Sequence, residues 1–147
     1  MFAGRNLCTK HQGVKAIFTS RSVKSQSEKG ERLAIERGRL SELKDPMQRS
    51  KSYVRISDLL LDFIAGAAND RDVEAMSSLL DQYTSAIRSA RDIVASSELG
   101  PTLKPAGYKD LELALRRQAR RLRDIGATLG ADERLPVDRA LAAATSL

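Results

Sequence analysis

The fold is decided by the segment ISDLLLDFIAGAA, residues 56–68. At helical spacing, this segment and the residues just before it carry two adjacent apolar stripes. The first stripe consists of Tyr53, Ile56, Leu60, Phe63 and Ala67, and the second of Val54, Leu61, Ile64 and Ala68. One stripe suits a helix that packs on a single neighbour, whereas two adjacent stripes suit a helix packed between two neighbours. The sequence therefore predicts a central helix whose two apolar faces are covered by the rest of the chain.

The composition favours helices on both sides of this segment. Leu, Ala, Arg and Glu dominate the 147 residues, aromatic residues make up only 4%, and strand-like alternation of Val, Ile, Thr and Tyr is missing. A chain of this length can bury a core as one domain without a metal or a disulfide. These features predict an all-α fold.

Two further rows of residues repeat at alternating intervals of three and four. The first row is Val73, Met76, Leu80, Tyr83, Ile87, Ala90 and Val94, and the second is Tyr108, Leu111, Leu115, Gln118, Leu122, Ile125 and Leu129. This spacing is typical of the seams of antiparallel bundles and coiled coils. Gln118 is the lone polar member of the second row. It is either a hydrogen-bonded core amide that sets the register, or the helix is rotated so that Ala119 faces inward, and we favour the rotation.

A strong start signal precedes the central helix. Asp45 can accept hydrogen bonds from free backbone N–H groups, Pro46 suits the first helical position, and Gln48 stands where a capping box has Glu or Gln. The central helix should therefore begin at Pro46 and end near Ala68.

The next break lies at Asn69 and Asp70, and negative side chains follow at Asp72 and Glu74. Acidic residues at a helix N-terminus interact favourably with the helix dipole. Because so few residues separate the two helices, they should fold back on each other as a hairpin.

Weaker signals flank the three long helices. Residues 28–44 carry a thin stripe of Leu33, Leu40 and Leu43, interrupted by Gly38. Residues 99–105 contain one Gly and two Pro and read as a loop. Gly130 is a natural end for the third long helix, and Pro136 should open a last helix that carries Val137, Leu141 and Ala144.

These signals together predict an antiparallel bundle of three long helices with two shorter flanking helices, over residues 28–147. Residues 1–27 hold five basic residues and no acidic one, which leaves 20 basic residues against 19 acidic ones in the bundle. The net charge of +6 therefore belongs mainly to the tail, and it does not indicate a nucleic-acid-binding body. The tail lacks a helical period and is predicted to be disordered, in preference to an organelle-targeting peptide.

The bundle lacks the residue types that most catalytic sites require. Cys8 and His11 are the only cysteine and histidine, and both lie in the tail. Zinc sites of the usual ligands, cysteine nucleophiles and Ser-His-Asp triads are therefore not expected in the bundle, nor is any cofactor. Asp58 and Asp62 stand one turn apart, and we interpret them as a solvated face or as partners of arginines on the third long helix. The three tyrosines, Tyr53, Tyr83 and Tyr108, should pack at the core or its rim with a hydrated hydroxyl.

One local excess of charge stands out, in the segment RRQARRLR. It contains five arginines, the candidate anion-binding or partner-binding residues: Arg116, Arg117, Arg120, Arg121 and Arg123. Within the same helix, Glu112 can pair with Arg116 and Asp124 with Arg120, each pair contributing a few tenths of a kcal/mol.

The remaining arginines have two interpretations. They bind phosphate or an anionic surface, or they bridge to acids of the preceding helix such as Asp81 and Asp92. We favour bridging or plain solvation, because no aromatic residue interleaves the cluster to stack on bases.

The run from Leu40 to Leu129, with its segment KPAGYKDLELALRRQ, resembles a set of small helical proteins found in acidobacterial genomes. The resemblance covers most of the bundle and involves no catalytic motif. It implies a bacterial source and a helical fold, and the family has no established activity.

The sequence thus favours a non-enzymatic interaction or scaffold module that binds a protein partner or associates with itself. The alternative is a nucleic-acid or anionic-surface binder that uses the basic tail and the stripe from Arg116 to Arg123. No apolar run has the length of a transmembrane helix, and no secretory signal is present, so the cytoplasm is the default compartment.

Overall fold

A computed structural model describes residues 12–96 and 105–146, with side chains described from residue 23 onward except at 105 and 106. These residues form five helices: α1 (Gln12–Glu42), α2 (Pro46–Asn69), α3 (Val73–Ser96), α4 (Pro105–Ala127) and α5 (Ala131–Thr145). The predicted all-α class and helical bundle are confirmed. Cys8, His11 and nearly all of the loop predicted at 99–105 lie outside the described residues.

Helix α2 begins where its capping signal placed it. Asp45 has extended backbone angles, and its Oδ2 accepts a hydrogen bond from the Gln48 N–H at 2.9 Å. Pro46 occupies the first helical position, where its missing N–H costs nothing. The helix ends at Asn69, one residue beyond the predicted end.

A tight turn joins α2 to α3 and confirms the predicted hairpin. Arg71 has a positive φ of 58°, in the left-handed region that reverses the chain direction. Asp72 Oδ1 then accepts from the Ala75 N–H at 3.0 Å, so Asp72 caps α3 from just outside it. The turn is also tied to α5, since Arg71 Nη1 lies 3.0 Å from Glu133 Oε2.

Helix α2 occupies the centre of the molecule. It packs against α1, α3 and α4, while α5 packs against α3 and α4. Both apolar stripes are used, because Ile56 and Leu60 of the first and Leu61 and Ile64 of the second are buried. Phe63 is an exception, since it is only half-buried and lies outside the core.

The rows on α3 and α4 form most of the remaining core. The buried members are Met76, Leu80, Tyr83, Ile87, Ala90 and Val94 on α3, and Leu111, Leu115, Gln118, Leu122 and Ile125 on α4. Val73, at the first position of α3, is exposed. Gln118 and Ala119 are both buried, and Gln118 is only 1% exposed. The favoured rotation that would place Ala119 inward in place of Gln118 is therefore wrong.

Helix α1 is longer than predicted. It begins at Gln12 instead of Glu28 and runs through part of the segment assigned to the tail. Within the described residues its backbone packs against α2 alone. Glu36 anchors it there, because its Oε2 accepts from the buried Ser52 hydroxyl at 2.9 Å and its Oε1 lies 3.8 Å from Arg55 Nη1.

Helix α5 also begins earlier than predicted, at Ala131, with Pro136 inside it. Gly130 adopts an extended N-cap conformation, and Asp132 with Glu133 places negative charge in the first turn. Pro136 removes one backbone hydrogen bond from the helix. The helix continues past it because its apolar face is buried against the bundle, through Val137, Ala140 and Ala144.

Candidate interaction surface on helix α4

Helix α4 directs its arginines away from the core. The face of α4 that packs on the bundle carries the buried residues Leu111, Ala114, Leu115, Gln118, Ala119 and Leu122, and the other residues of this stretch lie outside the core. Arg116, Arg117, Arg120 and Arg123 are exposed, and Arg121 is half-buried. The structure therefore places all five predicted residues on one helix but divides them by what they contact.

Two of the five arginines have ion-pair partners within the fold. Arg116 Nη2 pairs with Glu112 Oε1 one turn earlier, as the spacing predicted. Arg121 Nη2 lies 2.6 Å from Asp62 Oδ1 of α2, and Lys29 Nζ of α1 approaches the other oxygen of Asp62 at 3.6 Å. Arg121 therefore joins α4 to α2 and, through Asp62, to α1.

This bridge corrects one prediction and confirms another. Bridges to acids of α3 such as Asp81 and Asp92, one of the two favoured interpretations beside plain solvation, do not form among the described residues, and Arg121 reaches Asp62 of α2 instead. The interpretation of Asp62 as a partner for an arginine of this helix is thus correct. The pair expected between Asp124 and Arg120 is not formed.

Three arginines remain without an ion pair or hydrogen bond to any side chain that the structure describes: Arg117, Arg120 and Arg123. A shallow depression of about 460 Å³ lies beside the first two, lined by Asp110, Leu113, Arg116, Arg117 and Arg120. Leu113 is 49% exposed there. We call this set of five residues the α4 surface. It presents an apolar side chain surrounded mainly by guanidinium groups.

A buried hydrogen-bond network holds α4 in the rotation that exposes this surface. Gln118 Nε2 donates to Ser57 Oγ at 2.7 Å and to Asp58 Oδ1 at 2.9 Å, both on α2. Gln118 Oε1 accepts from the Tyr83 hydroxyl of α3 at 3.1 Å. Arg117 precedes Gln118 directly, and Arg120 follows it by two residues, so both lie on other faces of the helix than Gln118. When the Gln118 side chain is held in the core, the side chains of these two arginines therefore point to the surface.

Tyr83 contributes a proton donor to this network. Burial raises the pKa of the Tyr83 hydroxyl above its usual value, and the nearby Asp58 carboxylate raises it further, against a smaller opposite effect of Arg91. The hydroxyl is therefore neutral and donates to Gln118. The predicted hydrated hydroxyl is wrong at this position. Tyr108 likewise donates to a backbone carbonyl, that of Val94, at 3.0 Å.

The carboxylates Asp58 and Asp62 serve the contact between α2 and α4. Asp58 accepts from Gln118 and Asp62 from Arg121. In the described part of the chain, no three His, Cys, Asp or Glu residues come close enough together to hold a metal ion.

The arginines of the α4 surface were predicted from their clustering in the sequence. The sequence pattern did not single out Leu113, whose exposure depends on how α4 packs.

Comparison with known proteins adds no relative. No protein-family model matches the sequence, and neither a curated protein nor a solved structure matches the chain significantly. The resemblance to acidobacterial helical proteins therefore stays a prediction.

One further property concerns membranes. Across residues 12–96 and 105–146, no helix combines the length and the apolar character that crossing a bilayer requires.

Proposed function

We propose that the protein is a non-enzymatic interaction module whose α4 surface binds an acidic amphipathic segment of a protein partner. The observation that carries this proposal is the exposed Leu113 beside Arg117 and Arg120, which have no ion-pair partner among the described residues. A partner helix with carboxylates flanking an apolar side chain would match both features of this surface.

The chemistry of the two residue types supports such a partner. Arginine is enriched at protein interfaces, where its planar guanidinium can bind a carboxylate through two parallel hydrogen bonds. An apolar contact at the centre, surrounded by charged groups, matches the arrangement of an interface core and its rim. Arg116 is already paired with Glu112, so Arg117 and Arg120 are the groups left to bind the partner.

Binding of nucleic acid or another anionic surface, through the tail and the stripe from Arg116 to Arg123, is the second candidate. The unpaired charges of Arg117, Arg120 and Arg123 support it. One member of the α4 surface favours the protein partner instead. Leu113 offers an apolar contact to a partner helix and nothing to a phosphate backbone.

The test is a fluorescence titration of the full-length protein with two labelled probes. One probe is an amphipathic helical peptide with glutamates flanking a leucine stripe, and the other is a single-stranded oligonucleotide. We expect Leu113→Ser, and separately Arg117→Gln with Arg120→Gln, to weaken peptide binding about thirtyfold or more, the loss that defines an interface hot spot.

Matched controls are available on other helices. Leu135 of α5 is also an exposed leucine, and Arg39 lies in the last turn of α1. Leu135→Ser and Arg39→Gln should leave peptide binding unchanged. Peptide affinity that does not respond to Leu113→Ser would contradict the proposal. Salt-sensitive oligonucleotide binding that depends on the arginines alone would favour the second candidate.

A further inference from the structure

A second surface, independent of the α4 surface, lies in a groove of about 500 Å³ between α3 and α5. Its floor is apolar and consists of Leu80, Pro136 and Ala140, whereas its walls are polar. This volume lies within the range of small-molecule sites. We call it the α3–α5 groove.

The walls of the α3–α5 groove carry four hydroxyl groups: Ser77, Thr84, Ser85 and Ser89. Many helical serines and threonines bond back to a carbonyl of the preceding turn. Ser96, Thr128 and Thr145 do so in this protein, at 2.6, 2.7 and 2.9 Å. None of the four groove hydroxyls makes such a bond, or any other hydrogen bond, with the residues that the structure describes. They are therefore available to a ligand.

Two arginines line the α3–α5 groove, Arg88 on α3 and Arg139 on α5. Neither forms an ion pair within the described ranges, although the nearby Arg134 pairs with Asp138 at 3.4 Å. Asp81 is the only acid that lines the groove, and it too has no ion-pair partner among the described residues. The lining thus has two guanidinium groups, one carboxylate and four hydroxyls.

We propose that the α3–α5 groove binds a small phosphorylated polyol, of the sugar phosphate class. The phosphate lies between Arg88 and Arg139, because guanidinium groups match phosphate oxygens in charge and in geometry. The Asp81 carboxylate and the wall hydroxyls bind the hydroxyls of the ligand. The apolar floor contacts its C–H groups.

The lining also argues against two neighbouring ligand classes. A nucleotide is disfavoured because none of the described residues that line the groove has an aromatic side chain to stack on a base. A simple anion has no hydroxyl for the Asp81 carboxylate to bind, and the carboxylate would repel the anion. A polyol uses the carboxylate and the hydroxyls together with the arginines.

Isothermal titration of the full-length protein with three probes tests the proposal. The probes are ribose 5-phosphate, ribose and inorganic phosphate. We expect ribose 5-phosphate to bind at least about tenfold more tightly than either fragment, since the charge-assisted bonds to phosphate, or several hydroxyl contacts taken together, amount to about that factor. If ribose 5-phosphate gives no heat at millimolar concentration, or if phosphate alone binds as tightly, the proposal is overturned.

Variants of the groove locate the binding. Arg88→Gln and Arg139→Gln should each weaken ribose 5-phosphate about tenfold or more, since each removes a charge-assisted contact. The matched control is Arg134→Gln, which changes an arginine of α5 outside the groove and should leave the affinity unchanged. Circular dichroism checks that each variant stays folded. Equal affinity in the wild type and both groove variants would place any binding elsewhere and overturn the proposal.

Discussion

At the scale of single residues, Gln118 shows how a polar side chain is accommodated in an apolar core. Its amide donates to Ser57 and Asp58 and accepts from Tyr83, so that both of its polar atoms are bonded. A neutral hydrogen bond contributes only about 1 kcal/mol net, whereas a buried group left without a partner costs about 1–3 kcal/mol. The main effect of the network is therefore to make other rotations of α4 less stable, because they would leave these buried groups without partners.

Tyr83→Phe tests this network, and its effect should depend on pH. At neutral pH, the variant leaves Gln118 Oε1 without its donor, and we expect a loss of about 1–3 kcal/mol in the free energy of unfolding. The folded state raises the pKa of Tyr83 above the ordinary value of 10.0. As pH rises above that value, the unfolded chain releases the Tyr83 proton while the folded chain holds it, so the wild type loses stability.

The difference in the free energy of unfolding between the wild type and Tyr83→Phe should therefore become smaller above pH 10, by up to about 1.4 kcal/mol per pH unit. Urea denaturation of both proteins at neutral pH and at several values above pH 10 measures it. A constant difference in the free energy of unfolding between the two proteins across this range would show that folding does not raise the pKa of Tyr83.

At the scale of the helices, α1 differs from the other four in how little of it is covered. Its backbone packs against α2 alone within the described residues, and Gly30 and Gly38 have no heavy atom within 4 Å of an added Cβ. The intrinsic helix preference of its residues therefore matters more than in the buried helices, whose stability comes mainly from packing.

Gly38→Ala should stabilise the protein by up to about 1 kcal/mol, because alanine loses less backbone entropy in a helix and meets no neighbour here. Gly107→Ala is the matched comparison. Its new methyl group would collide with the Met47 side chain, which must move to make room, so the gain there should be smaller. Chemical denaturation followed by circular dichroism measures both. A larger gain from Gly107→Ala would contradict this account of α1.

At the scale of the whole molecule, α2 occupies the centre of the bundle. It packs directly on three helices, and its polar side chains Ser57, Asp58 and Asp62 bind residues of α4 as well. Leu61 and Ile64 have no exposed surface at all. The stability of the bundle should consequently respond most strongly to changes on the buried face of this helix.

Leu60→Ala should lower the free energy of unfolding by about 2–5 kcal/mol, since Leu60 is 1% exposed and its removal leaves a cavity. Phe63→Ala, on the same helix, should cost less than half as much even though it removes a larger side chain, because Phe63 is only half-buried. Urea denaturation of the two variants compares them directly. An equal or greater loss from Phe63→Ala would mean that Phe63 belongs to the core.

Local signals determined the start of α2 and the class of the fold. Asp45, Pro46 and Gln48 act within four residues, so a cap that depends on them is visible in the sequence. The rows spaced by three and four residues likewise predicted most of the core, with Val73 and Phe63 as exceptions. Both kinds of signal depend on residues within one or two turns of each other. The distance between such residues is set by the helix itself and is the same however the helix packs.

Tertiary contacts decided how the helices are rotated and which charges are free. Gln118 is stable in the core because Ser57 and Asp58, more than fifty residues away, supply its partners. Arg121 is bound because Asp62, 59 residues distant, lies opposite it, and this leaves Arg117 and Arg120 on the surface. Such pairings depend on which helix packs against which. Several acidic residues were equally plausible partners in the sequence, and only the packed bundle brings one of them within reach.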